Sequence, residues 1–241
     1  MSLLEVVLAS ALLIVVVLVI TGLVHTTDRA YLTEIPLRER QVRCQAVVDS
    51  ISQQLHEARG SWVWLAPVLD EPLPAPLSRA LLFASARDAD GRFASHGVTL
   101  EPCAQKYIAC VPLNRHGSTA LVRYTFDTLG PALMTSEPQV PRISASASTI
   151  RLQWVYASGG SPVQEVSCPR ESGVVLLADL ERFSVSNPKL TAGTEDDFQL
   201  AGGGTWAPDM WQIGVTVRFR SEYGYGRWIS ISVDSSINGR N

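Results

Sequence analysis

Runs of like charge are missing from this 241-residue sequence: its 20 Lys and Arg and 23 Asp and Glu are scattered, for a formal net charge of -3. Without a basic stripe there is no electrostatic footprint for a nucleic-acid backbone, and no nucleic-acid partner is expected. Without an acidic tail there is no charged arm for a basic partner. Catalytic spacings are missing as well. His25, His56, His96 and His116 form no H-E-x-x-H pattern, and the serines form no G-x-S-x-G elbow. The cysteines number only four, and the absence of C-x-x-C spacing argues against zinc. There is no repeat of fixed period and no long low-complexity tract. Neither an enzyme nor a cofactor is expected from these residues.

What is present begins at the first residue. The chain opens MSLLEVVLASALLIVVVLVITGLV, and from Val6 to Val24 only Ser10, Thr21 and Gly22 depart from apolar side chains. As a helix this stretch measures about 28 Å, close to the hydrocarbon thickness of a bilayer. A secretory signal peptide is one reading, but there is no positive n-region and no A-x-A-like cleavage site. A retained helical anchor is the expectation. Glu5 then needs an explanation, because a carboxylate beside hydrocarbon is costly unless something offsets its charge. One account is that Met1 is a processed N-terminus whose free amine provides that charge. The other is that Glu5 lies at headgroup level as an ordinary interfacial residue.

Beyond the anchor the helix is expected to continue. Leu37, Cys44, Val47, Val48, Ile51 and Leu55 form an apolar stripe at steps of three and four, with Arg38, Arg40, Asp49, Gln53 and Glu57 largely opposite. Pro36 is expected to kink this run or break it, and Gly60 to cap its end. From Pro67 the stretch VLDEPLPAPLS reads as a surface loop. Strands are expected at 80–85, 120–126 and 149–156, where Ile150, Leu152, Trp154 and Tyr156 alternate onto one face. Val174 to Val185 forms another apolar run. Residues 213–220 and 228–233 read as the arms of a hairpin with Glu222 to Gly226 near its turn. The expected fold class is α+β: a long N-terminal helix, apolar and then amphipathic, packed on an antiparallel β-sheet head. The expected domains are residues 1–60 and 61–241.

The stretch Met1-Ser2-Leu3-Leu4-Glu5-Val6-Val7-Leu8 resembles the mature start of type IV pilins and type II secretion pseudopilins. That resemblance covers only the first helix. It implies a precursor cut by a prepilin peptidase, with Met1 as the N-methylated residue. It also implies that Glu5 pairs with the amine of a neighbouring subunit during assembly. Two departures stand out: Met1 replaces the usual Phe, and Gly22 stands where major pilins often carry a helix-breaking Pro. Later residues resemble PilW-like minor pilins. These are Leu55-His56-Glu57-Ala58-Arg59-Gly60, the Leu176 to Val185 stretch, a Trp-containing loop before an alternating strand, and the final Asn238-Gly239-Arg240-Asn241. The resemblance implies a minor pilin that primes pilus assembly and joins a tip complex. Its partners would be other minor pilins, the major pilin and a large tip adhesin. It would sit in the inner membrane, head in the periplasm, before assembly, and at the pilus tip afterwards. J-type pseudopilins share this layout and give the nearest alternative. A membrane-tethered ligand-binding or hydrolytic domain is the alternative of another class.

Further candidates rest on residue type alone. Four cysteines suit an oxidising compartment and allow three pairings. The favoured one joins Cys103 to Cys110 across a short loop and Cys44 to Cys168, pinning helix to sheet. Asp88 and Asp90 in Asp88-Ala89-Asp90-Gly91, and the cluster Glu195, Asp196 and Asp197, are weak calcium candidates. Both lack the full ligand set and read equally as turns. Trp206 and Trp211 bracket Pro208 and are a candidate partner surface, with anchoring of their own loop as the other reading.

Overall fold

The computed structural model of the chain describes residues 3–57, 63–85, 106–127, 139–186, 210–220 and 228–238. The helix α1 spans Leu3–Glu57. Strands β1 (Val63–Leu69), β2 (Arg79–Ala84), β3 (Lys106–Arg115) and β4 (Ser118–Asp127) follow. Next come β5 (Gln139–Ala145), β6 (Thr149–Tyr156), β7 (Gln164–Pro169) and β8 (Val174–Leu177). Strands β9 (Leu180–Ser186), β10 (Met210–Arg220) and β11 (Trp228–Asn238) complete the order. An apolar N-terminal helix and a large antiparallel-rich sheet domain make the fold mixed α+β.

Contacts group the chain into two units, 1–42 with 219–229 and 43–218 with 230–241. The boundary expected at 60/61 follows element type; the contacts place the last turns of α1 with the sheets. The expected break at Pro36 is absent, and the residue lies inside one uninterrupted helix. Proline costs a helix one N–H donor and crowds the preceding turn, but the turns on both sides keep their own hydrogen bonds. In the first unit the Arg40 guanidinium stacks over the Phe219 ring, 3.9 Å from its centroid.

In the second unit eight strands run in the order β7-β6-β5-β1-β2-β3-β4-β8. The β1–β5 pair is parallel and the other pairs are antiparallel. The β3–β4 hairpin closes on His116 and Gly117, both at positive φ (49° and 83°). Two consecutive left-handed residues match the twist of the flanking strands, which is why glycine holds the second place. The apolar run expected from Val174 to Val185 is two strands, divided at Ala178-Asp179, where Asp179 has a φ of 57°. Strands β9, β10 and β11 form a separate three-stranded sheet with β10 in the centre. There Gly214 makes room for two side-chain ends: a Cβ would lie 2.4 Å from Asp234 Oδ1 and 2.7 Å from Ser184 Oγ, so both would have to turn aside.

The larger sheet curls around its own side chains. Leu152 and Trp154 on β6 share one buried cluster with Tyr124 and Phe126 on β4, although β6 and β4 stand near opposite ends of the strand order. Its centre is aromatic. Trp64 and Trp154 meet edge to face at 5.1 Å, and Tyr107 packs 5.6 Å from Trp154. The curl is tight where β8 begins, since a Cβ on Gly173 would lie 2.4 Å from Tyr124 and 2.5 Å from Val122. Gly173→Ala is therefore expected to cost about 1–3 kcal/mol through overpacking, read as a shifted urea midpoint with an unchanged slope.

One polar network ties the curl together. The Arg170 guanidinium donates from Nη1 and Nη2 to the two carboxylate oxygens of Glu71, at 2.9 and 3.0 Å. It also donates to the backbone carbonyls of Ser146 at 2.9 Å and Asn114 at 2.8 Å. Glu71 accepts further from the Asn114 N–H, while Tyr124 Oη donates to the Arg170 carbonyl at 2.7 Å. The loop after β1, the β3–β4 hairpin, the β5–β6 turn and the end of β7 are thus joined through one arginine. Burial pushes the Glu71 carboxyl up, but hydrogen bonds from Arg170 and Asn114 and the guanidinium charge outweigh it and hold the pKa below its ordinary value.

Candidate membrane and assembly surface

Among the described residues, nothing packs on the N-terminal stretch of α1. Val6–Asp28 has a mean hydropathy of 3.0, and none of it is buried. Side chains on every face are exposed, among them Val7, Leu12, Leu13, Val17, Leu18 and Leu23. A helix apolar all round, rather than along one stripe, needs an apolar surrounding on all sides. Its hydroxyls are already satisfied within the helix. Ser10 Oγ donates to the Val7 carbonyl at 2.9 Å and Thr21 Oγ1 to the Val17 carbonyl at 2.7 Å. Thr26 and Thr27 do the same to Leu23, at 2.9 and 2.8 Å. No hydroxyl in this run needs water, the condition hydrocarbon imposes. By length and composition the helix can cross a membrane.

Further along, the helix changes character. Cys44, Val48, Ile51 and Leu55 are buried at steps of three and four, as their spacing anticipated, while Leu37 and Val47 are half-buried. Beside them runs a trough of about 170 Å³ lined by Arg43, Val47 and Ile51 of α1 with Arg123 of β4 and Leu176 of β8. On β4, Val122 and Tyr124 point into the curled cluster, so Arg123 and the trough lie on the outer face of the sheet.

Strand alternation also decides the cysteines. Cys110 and Cys168 are free thiols, so neither favoured bridge, Cys103–Cys110 or Cys44–Cys168, is formed. Cys168 packs against the interior cluster opposite Ile150, whereas Cys44 belongs to the helix along the outer face. A disulfide requires Cα atoms within about 7 Å, and the sheet intervenes. Cys110 pairs in register with Arg123, again on the outer face. Burial pushes its thiol up to about 12, only partly countered by the Arg123 charge.

The remaining sequence candidates are placed as follows. Glu5 falls within α1, but its side chain and Met1 lie outside the described residues, as do Cys103, Asp88, Asp90, Glu195, Asp196, Asp197 and Trp206. Trp211 lies on β10, with its side chain outside the description. Among the described residues no three His, Cys, Asp or Glu converge to hold a metal. His25 is exposed on the helix and His116 at the hairpin turn. Sequence reading missed Glu71, Arg170 and the Arg123 side of the trough, because their partners lie far along the chain. No family model, curated protein or solved structure matches this chain.

Proposed function

We propose that this protein is a type IV pilin-like subunit, a PilW-like minor pilin that primes filament assembly and forms part of a tip complex. The observation that carries the reading is the 23-residue span Val6–Asp28, exposed on every side with its hydroxyls bonded to its own backbone. It continues without a break into the turns that carry the buried residues Cys44, Val48, Ile51 and Leu55. One helix thus holds a surface for hydrocarbon or for like helices at one end and is anchored to a folded head at the other. Before assembly the apolar half lies in the inner membrane with the head in the periplasm. During assembly the same half exchanges lipid for neighbouring helices, an exchange that conserves its apolar surroundings.

Glu5 supplies the register in this scheme. In an apolar setting a carboxylate without a counter-charge is costly, so docking beside the amine of another subunit is favoured at one axial position. Met1, as the processed and methylated residue, carries the amine offered to the next chain. Other minor pilins and the major pilin are the partners, together with a large tip adhesin. The work is templated association, and no bond is made or broken by this chain.

Glu5→Ala and Glu5→Gln test this directly. Both variants are expected to be cleaved by the prepilin peptidase normally and to be lost from purified filaments, because Gln keeps the shape but not the charge. Normal incorporation of both would remove Glu5 from assembly, and absence of the parent chain itself from the filaments would leave α1 as a plain membrane anchor.

A further inference from the structure

From the trough on the outer face we infer a docking site for an extended, acidic–apolar segment of a neighbouring subunit, added as a strand along β8. The inference rests on the subunit reading for the identity of its partner and on geometry for everything else. Three observations converge. First, β8 stands at the end of the eight-strand order and, among the described residues, is paired on one side only, with β4. Both of its faces carry exposed apolar residues: Val174, in register with Arg123, is 52% exposed, and Val175, in register with Val122, is 40% exposed. An edge of this kind offers a row of main-chain donors and acceptors to another strand. Second, the trough lies over the outer face of β4 and β8, so the side chains that an added strand turns to that face would approach it, as in peptide capture by strand addition. Its aliphatic floor, Val47, Ile51 and Leu176, suits the methylene stems of side chains turned to that face.

Third, the charge of the site has one sign. Arg43 and Arg123 both line the trough, and no carboxylate is among the residues lining it. The group in register with Arg123 is Cys110, a buried neutral thiol that supplies no counter-charge. Two guanidiniums beside an aliphatic floor select a strand that turns alternate carboxylates to this face, leaving its apolar residues on the face of Val175, and reject a basic segment. The head of this subunit thereby chooses a partner by strand pairing and charge, separately from the helix packing in the filament core.

Binding of fluorescein-labelled Leu-Glu-Val-Glu-Leu peptide to the full chain in detergent micelles, followed by fluorescence anisotropy, tests this. Saturable binding is expected for this peptide and not for its Leu-Lys-Val-Lys-Leu counterpart. Arg43→Glu with Arg123→Glu should weaken the acidic peptide about tenfold or more and create binding of the lysine peptide. That gain shows the charge-reversed chain is still folded. Methylating alternate backbone amides of the peptide should abolish binding in one register and spare it in the other. No saturable binding, equal binding of both peptides, or indifference to charge reversal would overturn the site. Indifference to methylation in both registers would overturn strand addition. Failure here with Glu5-dependent incorporation intact removes the docking site alone. Peptide binding by a parent chain that is absent from purified filaments removes the subunit reading alone.

Discussion

Arg170→Ala will lower the unfolding free energy of the sheet domain by about 3–5 kcal/mol, the range for breaking a buried ion pair from one side. The Glu71 and Arg170 side chains retain only 6% and 15% of their exposure, so water replaces little of what is lost. Removing the guanidinium also strips donors from the Ser146 and Asn114 carbonyls, leaving three segments of the curl without their common partner. Glu71→Ala should cost less, because Arg170 keeps both backbone carbonyls. Arg170→Lys should restore only part of the loss, since an ammonium cannot serve a bidentate carboxylate and two carbonyls in one plane. Urea unfolding of the full chain in micelles, followed by tryptophan fluorescence, measures all three. Equal stability of Arg170→Ala and wild type would reduce the network to a surface decoration.

The same pair fixes a pH dependence. The Glu71 carboxyl is held below its ordinary pKa in the folded chain, so the unfolded chain binds its proton more readily. Its contribution is therefore fully present above the unfolded value, about 4.3, and is lost as pH falls through the lower folded value. Glu71→Gln should remove this acid-side decline while lowering stability at neutral pH, where the amide cannot accept both guanidinium donors.

Where the sequence was legible, it was so for local reasons. Residues 149–156 alternate cleanly, and Ile150, Leu152 and Trp154 are completely buried as that alternation requires, with Tyr156 half-buried at the end. The helical stripe from Cys44 to Leu55 was equally plain. Four strands, β1, β3, β5 and β7, were not read, and each contains a proline: Pro67, Pro112, Pro141 and Pro169. Proline argues against a strand because it lacks a donor, but the objection fails wherever one side of the strand has no neighbour. Pro112 lies past Cys110, where the β2 partners end. Pro141 precedes Ile143, where pairing with β1 begins. Pro67 sits just before β1 takes up β5, and Pro169 ends an edge strand. Each proline therefore occupies a position with one paired side, which only the sheet order reveals. The Glu71–Arg170 pair was illegible for a different reason. Its members stand 99 residues apart, and Glu71 belongs to a stretch that reads as an ordinary proline-rich loop. The expected pairing of Cys44 with Cys168 failed because spacing does not tell which face of a sheet a cysteine will meet.

Val17→Asp places a carboxylate near the middle of the span Val6–Asp28 and should reduce its membrane insertion on the order of 100-fold. The basis is the cost of an aspartate at the centre of an inserted helix, about 2.5–3.5 kcal/mol, at one factor of ten per 1.4 kcal/mol. The helix offers nothing to lessen that cost, because the nearby hydroxyl of Thr21 already donates to the Val17 carbonyl. Val17→Ala keeps the site apolar and should insert like the parent chain. The fraction left in the membrane pellet after alkaline carbonate extraction gives the readout. Retention of Val17→Asp at parental levels would show that this stretch does not sit in hydrocarbon, whatever its composition. Release of the parent chain itself, shortened at its N-terminus, would identify the stretch as a signal sequence instead. Loss of the Asp variant from the membrane, with Val17→Ala and the parent retained, places the apolar half of α1 in the bilayer, as the subunit reading requires before assembly.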